Sequence, residues 1–203
     1  MYIPPRYINE NEAETLAFIK RFSFGVITTS VNNVPTATHL PFVASEKEGS
    51  IILTAHFAKA NTHWQHIELN ENLIIFSEPH AYISPKNYNE KQNVPTWNYL
   101  AVHAYGRAKL ITDKEGVYGV LETMINNFEA DYKMQWDKLA EDYKVRMAKG
   151  IVAFEIEVTK IESKKKLSQN KKANERQNII QSLKDSSNST DHLLSDYMQN
   201  EEG

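Results

Sequence analysis

The chain has 203 residues, a formal net charge of −3 and no cysteine. This length is sufficient for one globular domain with a sizeable core, and the missing cysteine excludes disulfides, thiolate catalysis, cysteine-type zinc sites and iron–sulfur clusters. The acidic balance gives no global attraction to nucleic acid, so direct DNA binding would require a local basic patch.

The first half of the sequence predicts one helix followed by short strands. The Asn-Glu-Asn-Glu segment at 9–12 resembles a helix cap, and apolar residues then recur at helical spacing, which predicts a helix over about 10–21. Stretches rich in β-branched and aromatic residues, separated by turn residues, predict antiparallel strands. These stretches cover 24–29, 36–43, 51–56, 73–76 and 99–111, and the last is expected to bend near Gly106.

The second half predicts helices, one more strand and a separate tail. Apolar spacing predicts a helix entered from Asp113 and another over about 137–148 that stops at Gly150. Residues 151–161 alternate like a half-buried strand with the even-numbered side chains inward. From Gln169 the composition becomes polar, with two apolar groups that predict two short helices. We expect a main domain over 1–168 and a helical appendage over 169–203 whose last few residues are disordered.

One lysine-rich run near residue 165 is the best candidate for a DNA-binding patch. A solvated strand end and turn is the alternative, and it is the more common role of such runs. The run contains Lys160, Lys164, Lys165, Lys166, Lys171 and Lys172.

The segment 53–64 has features of an anion-binding turn. A strand ends there in small and polar residues with one cation, Lys59, and Asn61 can cap a following helix that contains Trp64. Free backbone N–H groups and a nearby cation suit a phosphate, although an ordinary capped turn has the same pattern. The P-loop and Rossmann glycine patterns are absent.

Two further segments, 81–85 and 94–99, place aromatic residues beside prolines and hydroxyl groups. They suit either a cleft for a flat heteroaromatic ligand or core aromatics beneath a loop. Six of the seven histidines also fall between His39 and His103, which suggests a metal site. Because HExxH is absent and nearby acids lack ligand spacing, we favour polar residues at a pocket rim or interface and expect no metal.

Several of these segments together resemble the PaiB family of FMN-binding negative transcriptional regulators, over about residues 1–175. The matching stretches are Met-Tyr-Ile-Pro at 1–4, Thr-His-Leu-Pro-Phe at 38–42, His-Phe-Ala-Lys-Ala-Asn at 56–61 with Trp64, Ala-Tyr-Ile-Ser-Pro at 81–85, Val-Pro-Thr-Trp-Asn-Tyr at 94–99, Val-His-Ala at 102–104 and Lys-Leu-Ser-Gln-Asn at 166–170.

The resemblance implies a mainly β, α+β fold, the FMN-binding split β-barrel of flavin reductases and pyridoxamine-phosphate oxidases, with peripheral helices and a C-terminal helical tail. It also implies a homodimer with FMN at the interface. Family members often carry Arg where this chain has Lys59, and lysine lacks the bidentate guanidinium contact, so the affinity for phosphate is expected to be lower here. The implied cofactor contacts are His56, Lys59 and Asn61 around the phosphate, the backbone of Thr38, His39, Leu40 and Pro41 along the isoalloxazine, Trp97, Asn98 and Tyr99 from the partner chain, and Lys166 with Gln169.

The resemblance leaves three functions open for a protein that we expect to be cytoplasmic, because the sequence shows no membrane span or secretion signal. The first is an FMN-binding regulator, although no helix-turn-helix with a basic recognition helix is present, so direct DNA binding is doubtful. The second is an FMN-dependent oxidoreductase, with His39, His103 and Tyr99 as candidates for proton delivery. The third is a haem-binding split barrel.

Overall fold

The computed structural model describes residues 1–200. Its main element is an antiparallel sheet, flanked by helices, and among these residues no helix is both long and apolar enough to cross a membrane. The strands are β1 (Phe24–Val31), β2 (Val34–Pro41), β3 (Val43–Lys47), β4 (Ser50–Ala58), β5 (Asn72–Phe76), β6 (His80–Ile83), β7 (Thr96–Ile111) and β8 (Ile151–Lys166). The helices are α1 (Glu12–Arg21), α2 (Lys114–Phe128), α3 (Lys133–Lys138), α4 (Glu141–Ala148), α5 (Ala173–Lys184) and α6 (Ser189–Asn200), with short 3-10 turns at Pro5–Tyr7, Thr62–His66, Pro85–Asn87 and Ala130–Tyr132.

The chain forms two compact units. The first contains residues 1–15, 77–102 and 162–200, and the second contains residues 16–76 and 103–161. Strands β7 and β8 each contribute residues to both units.

The second unit contains most of the sheet. The strand order is β2-β1-β5-β7-β8-β4-β3, and β1 pairs antiparallel with β2 and β5, while β4 pairs antiparallel with β3 and β8. Asn32 and Asn33 both have positive φ, which gives the tight turn between β1 and β2. The predicted strands are confirmed except for 36–43, because β2 ends at Pro41 and β3 begins at Val43, and 99–111 belongs to one continuous strand of 16 residues.

Gly106 of β7 is required by the close approach of β8. A Cβ atom at this position would lie 2.2 Å from the carbonyl oxygen of Glu157 and 2.7 Å from Ile156 Cγ2. No side chain fits there unless the two strands separate.

The helix entered from Asp113 is confirmed, because the Asp113 carboxylate accepts the N–H of Gly116 at 2.7 Å. The single helix expected over 137–148 is wrong. Leu139 and Ala140 adopt extended backbone, so α3 ends at Lys138 and α4 begins at Glu141, where two acidic residues favour a helix N-terminus.

The first unit contains β6, the first residues of β7 and the tail. His80 pairs with Tyr99 and Ile83 with Thr96 across β6 and β7. The two predicted tail helices are confirmed as α5 and α6, whose apolar faces include the buried Ile179 and Leu194. The domain boundary at 168 stays a prediction, and the predicted terminal disorder concerns residues 201–203, which lie outside the described residues.

Candidate functional site

Three residues of the second unit form a hydrogen-bonded group between β2 and the turn that follows β4. Asn61 Nδ2 donates to Thr38 Oγ1 at 3.1 Å, and Thr38 Oγ1 lies 2.9 Å from His63 Nδ1. The side-chain oxygen Oδ1 of Asn61 accepts the N–H of His63 at 3.0 Å and thereby caps the turn Thr62–His66. Thr38 and Asn61, both predicted to contact FMN, are therefore brought together.

The group continues inward through His63 to Thr29 and Asn72, and we call these five residues the polar chain. His63 Nε2 lies 2.9 Å from Thr29 Oγ1, which donates to Asn72 Oδ1 at 2.6 Å. Because the single hydroxyl proton of Thr29 points to Asn72, its oxygen must accept from His63, so Nε2 carries a hydrogen.

Burial is the main cause that lowers the pKa of His63, with His66 as a second cause, and this favours the neutral ring. In the neutral ring, Nδ1 accepts from the Thr38 hydroxyl, which in turn accepts from Asn61. Every hydrogen bond in the polar chain thus has a defined direction. The sequence pointed to His63 as a possible metal ligand, whereas the structure places it in the turn that Asn61 caps, as predicted.

His56 is held elsewhere in the same unit. Its Nδ1 lies 3.1 Å from the sulfur of Met124 on α2, and burial lowers its pKa. The structure therefore groups Asn61 with Thr38, whereas it places His56 against α2.

Lys59 follows β4 and is anchored by its backbone. Its N–H donates to the Gly150 carbonyl at 2.8 Å, and its own carbonyl accepts the indole N–H of Trp64 at 3.1 Å. The side chain is exposed, has no ion pair within residues 1–200, and lines a largely apolar cleft of about 490 Å³ that also contains Trp64 and Tyr118. The expected helix after Asn61 is a five-residue 3-10 turn, so Lys59 rather than a helix dipole is the main source of positive charge in this segment.

The segment 38–41 lies on an edge strand. β2 stands at one end of the strand order and, among the described strands, pairs with β1 alone, with Leu40 opposite Gly25. Leu40 is buried, whereas His39 is exposed and its ring stacks on Phe24 at a centroid distance of 6.1 Å. An edge strand leaves backbone N–H and C=O groups available to a ligand, which suits the predicted path of the isoalloxazine.

Trp97 belongs to an aromatic cluster on the first unit. Its ring centroid lies 5.5 Å from His80 and 6.3 Å from Tyr82. Trp97 is 51% exposed and Tyr82 is 53% exposed. The alternative of core aromatics beneath a loop is therefore wrong for these two residues.

The side chains of Asn98 and Gln169 make hydrogen bonds within the first unit. Asn98 is fully buried, accepts from the Ser168 hydroxyl at 3.0 Å, and directs its amide nitrogen to the sulfur of Met198 at 3.6 Å. The Gln169 amide accepts the N–H of Leu167 at 2.8 Å and donates to the Lys165 carbonyl at 2.7 Å. Gln169 thereby clamps the turn after β8 and fixes the backbone on either side of Lys166.

Most of the lysine-rich run is engaged inside the first unit. Lys164 is 7% exposed, donates to the Tyr2 carbonyl at 3.1 Å, and lies 5.0 Å from the ring of Tyr99. Lys165 pairs with Glu14 at 2.9 Å. The alternative of a solvated strand end is therefore wrong for Lys164. Because Lys164 and Lys165 are engaged by internal partners, they do not form a free basic surface.

The histidines do not converge on a metal. Within residues 1–200, no group of three or more His, Cys, Asp or Glu side chains has an arrangement that could hold a metal ion.

The sequence profile of the family described as "Putative FMN-binding domain" matches residues 1–160. The chain belongs to this family. It is also 37% identical over 202 residues to the "Protease synthase and sporulation protein PAI 2" of Bacillus subtilis (strain 168), with 98% of this chain and 97% of the relative covered. The predicted PaiB-type membership is confirmed.

Solved structures confirm the predicted split-barrel fold. The flavocytochrome Anf3 of Azotobacter vinelandii matches with a TM-score of 0.63 at 15% identity, covering 81% of this chain and 72% of that chain. The FAD and heme binding protein of Mycobacterium smegmatis matches with a TM-score of 0.63 at 10% identity, covering 83% and 77%. At these identities the likeness concerns the fold alone.

FMN, the cofactor predicted for this FMN-binding family member, is confirmed by the family match. The residues present fit its parts: Lys59 is a cation without a carboxylate partner in the described structure, β2 offers edge backbone, and Trp97 with Tyr82 offers exposed aromatic surface. Bound FMN supplies the electron- and hydride-transfer chemistry of its isoalloxazine ring.

Proposed function

We propose that this protein is a cytoplasmic FMN-binding regulator of the PaiB type that holds its flavin at a homodimer interface. The family match and the 37% identity to a relative named for protease synthesis and sporulation support a regulatory role. The proposed cofactor residues are those predicted from the sequence, with Lys59 at the phosphate and 38–41 along the ring.

The exposed aromatic side chains carry the proposal. Phe24 is 66% exposed on the second unit, and Tyr82 and Trp97 are about half exposed on the first. Aromatic side chains are enriched in the cores of protein interfaces and around flat ligands, where binding removes their surface from contact with water. A second copy together with FMN would cover them.

We propose that regulation acts through the flavin or a protein partner rather than through direct DNA contact. Lys164, Lys165 and Lys166 are engaged by internal partners, and the net charge is −3. Phosphate neutralisation by free cations supplies much of DNA affinity. Tight, sequence-selective binding of the pure protein in a mobility-shift assay would contradict this part of the proposal.

The cofactor site is tested by titrating FMN and following the quenching of its fluorescence. We expect Lys59→Ala to weaken binding by about 10- to 100-fold, because a hydrogen bond to a charged group contributes roughly 1.5–3 kcal/mol. Lys59→Arg should bind at least as tightly as the native protein, since guanidinium contacts phosphate in a bidentate way. Lys47→Ala, which removes an exposed lysine from β3, is the control. Equal loss in both alanine variants, or no binding by the native chain, would contradict the site.

The dimer is tested by size-exclusion chromatography with light scattering. Trp97→Glu should shift the dimer toward monomer, because it places a charge in the proposed interface. Leu69→Glu is the control, since Leu69 is 77% exposed and lies outside the aromatic cluster. A native monomer at all concentrations, with or without FMN, would refute the interface.

An FMN-dependent oxidoreductase is the second candidate, favoured by the exposed imidazole of His39 on the strand proposed to run along the flavin. Bleaching of bound flavin by NAD(P)H, with a slower rate in His39→Gln, would assign this function. Flavin that stays oxidised under excess NAD(P)H would favour the regulator.

A further inference from the structure

The first unit contains a small pocket of about 180 Å³. Its walls come from the loop before β7, the end of β8 and the turn that follows. The residues that matter for its chemistry are Tyr88, Asn93, Lys166 and Lys171. This volume lies below the roughly 300–1,000 Å³ of pockets that enclose a drug-sized ligand, so the pocket suits a smaller group.

Two lysines bring positive charge to this pocket and are held by neutral acceptors. Lys166 Nζ donates to the Thr96 hydroxyl and, at 2.6 Å, to the Trp97 carbonyl. Lys171 Nζ donates to Asn93 Oδ1 at 2.8 Å. None of the described residues that line the pocket carries a carboxylate.

The charge on Lys166 is further disfavoured by its surroundings. Burial lowers its pKa, and the neighbouring cation Lys164 lowers it as well. Partly buried cations that lack a carboxylate partner are costly, and an anion between them relieves this cost.

Glu175 is the carboxylate that acts on this region, and it is held by the backbone. It accepts the N–H of Asn89 at 2.9 Å and that of Lys172 at 3.3 Å. These bonds are the main cause that lowers its pKa, and Lys171 and Lys172 add to the effect. Glu175 thus acts on Lys171 and Lys172, whereas Lys166 has no ion pair with a carboxylate among the described residues.

Tyr88 adds a hydrogen-bond donor without a partner. The residue is 8% exposed, and its buried hydroxyl has no hydrogen-bond partner within the described part of the chain. Burial, then Glu175 and Tyr82, raises its pKa, which keeps the hydroxyl protonated. A buried donor without a partner is uncommon and costly in a native fold.

We propose that this pocket binds a small oxyanion, a carboxylate or phosphate group of a small molecule, between Lys166 and Lys171. The ligand's oxygen atoms accept from the two ammonium groups, and one further oxygen satisfies Tyr88. Lys166 and Asn98, which both line the pocket, are also proposed FMN contacts, whereas Lys171 is not, so Lys171 distinguishes the pocket from the flavin site.

The test is isothermal titration calorimetry of the full chain with inorganic phosphate and, separately, with acetate, at constant ionic strength. We expect saturable binding of at least one anion, weakened tenfold or more in Lys171→Gln. Lys172→Gln is the matched control: it removes the same charge one residue away, from a side chain that is 71% exposed and whose Nζ lies 3.8 Å from Glu90. Tyr88→Phe, which deletes only the hydroxyl, should weaken binding as well and serves if Lys171→Gln fails to fold.

Each outcome decides the proposal. Selective binding of phosphate or of acetate supports the pocket and identifies the group that it prefers. No saturable binding of either anion overturns it, as does an equal loss in the Lys171 and Lys172 variants, which would indicate diffuse attraction. FMN titrations of the same variants separate the two sites, because Lys171→Gln should leave FMN affinity unchanged. An equal loss of FMN and anion affinity would assign the pocket to the flavin site and overturn a separate one.

Discussion

His63 Nε2 lies 2.9 Å from Thr29 Oγ1, and this contact joins the turn after β4 to the interior of the sheet. Replacing Thr29 by Val keeps the shape of the side chain but removes one acceptor and one donor. His63 Nε2–H and Asn72 Oδ1 would then be left unsatisfied in a buried site. We expect a loss of about 2–4 kcal/mol in the free energy of unfolding, since each unsatisfied buried group costs roughly 1–3 kcal/mol.

Urea denaturation measures this loss, and Thr28→Val is the control. Thr28 is half-buried on the opposite side of β1 and has no side-chain hydrogen bond in the described structure. Equal stability of the two variants would show that the polar chain does not stabilise the fold.

Acidification should destabilise the protein through His63 and His56. Burial lowers the pKa of both below the ordinary 6.5. Between pH 6.5 and the lower pKa values of the folded state, the unfolded chain therefore binds more protons than the folded chain. The free energy of unfolding is unaffected by these two histidines above pH 6.5 and decreases as the pH falls through that window. Urea midpoints at about pH 7.5 and about pH 5.5 should differ less in His63→Gln than in the native protein. His192→Gln, at an exposed position, should leave the difference unchanged.

Two glycines should respond in opposite ways to alanine. Gly106→Ala forces a Cβ within 2.2 Å of the Glu157 carbonyl, so we expect a loss of at least about 3 kcal/mol or failure to fold. Gly119 lies in α2, and a Cβ atom added there would meet nothing within 4 Å apart from its chain neighbours and the backbone of its own helix. Gly119→Ala should raise the thermal midpoint, because alanine is favoured over glycine by about 1 kcal/mol in a helix. A tolerated Gly106→Ala would contradict the close approach of β7 and β8.

Gln169 should matter for the shape of its turn. Gln169→Leu removes the bonds to the Leu167 N–H and the Lys165 carbonyl, and we expect a loss of about 1–2 kcal/mol in urea unfolding. Gln92→Leu, at an exposed loop position without a side-chain bond in the described residues, is the control. Faster amide hydrogen exchange at 165–169 in Gln169→Leu would locate the effect, and unchanged exchange would contradict the clamp.

Local signals predicted most of the elements. Asp113 caps α2, as the sequence indicated. The cap of α1 lies within the predicted segment 9–12, but it is Asn11, which accepts the N–H of Glu14 at 3.0 Å, so the helix begins at Glu12 rather than at about residue 10. These contacts span three residues, so the residue types at neighbouring positions suffice to predict them. The break at Leu139 and Ala140 was missed, because neither residue is a helix breaker by type.

The candidate site was predictable only in part. The residues beside Lys59 in the sequence were sufficient to predict that it is an exposed cation at the end of a strand. The assignments of Asn98 and Gln169 as ligand contacts stay predictions, although their amide groups are engaged within the first unit. The engagement of Asn98 depends on Ser168, 70 positions away, which no spacing in the sequence reveals.

The amino-acid sequence by itself determined the strand and helix periodicity, the caps, the absence of cysteine chemistry and the family with its FMN, because these depend on residue types at short separations. Only the tertiary structure decided that His63 is a neutral link in the polar chain, that the lysine-rich run is largely engaged, and that Lys166 and Lys171 share a pocket. In each case the charge and hydrogen-bonding state of a side chain is set by groups from distant parts of the chain. Burial then determines which of those states is stable.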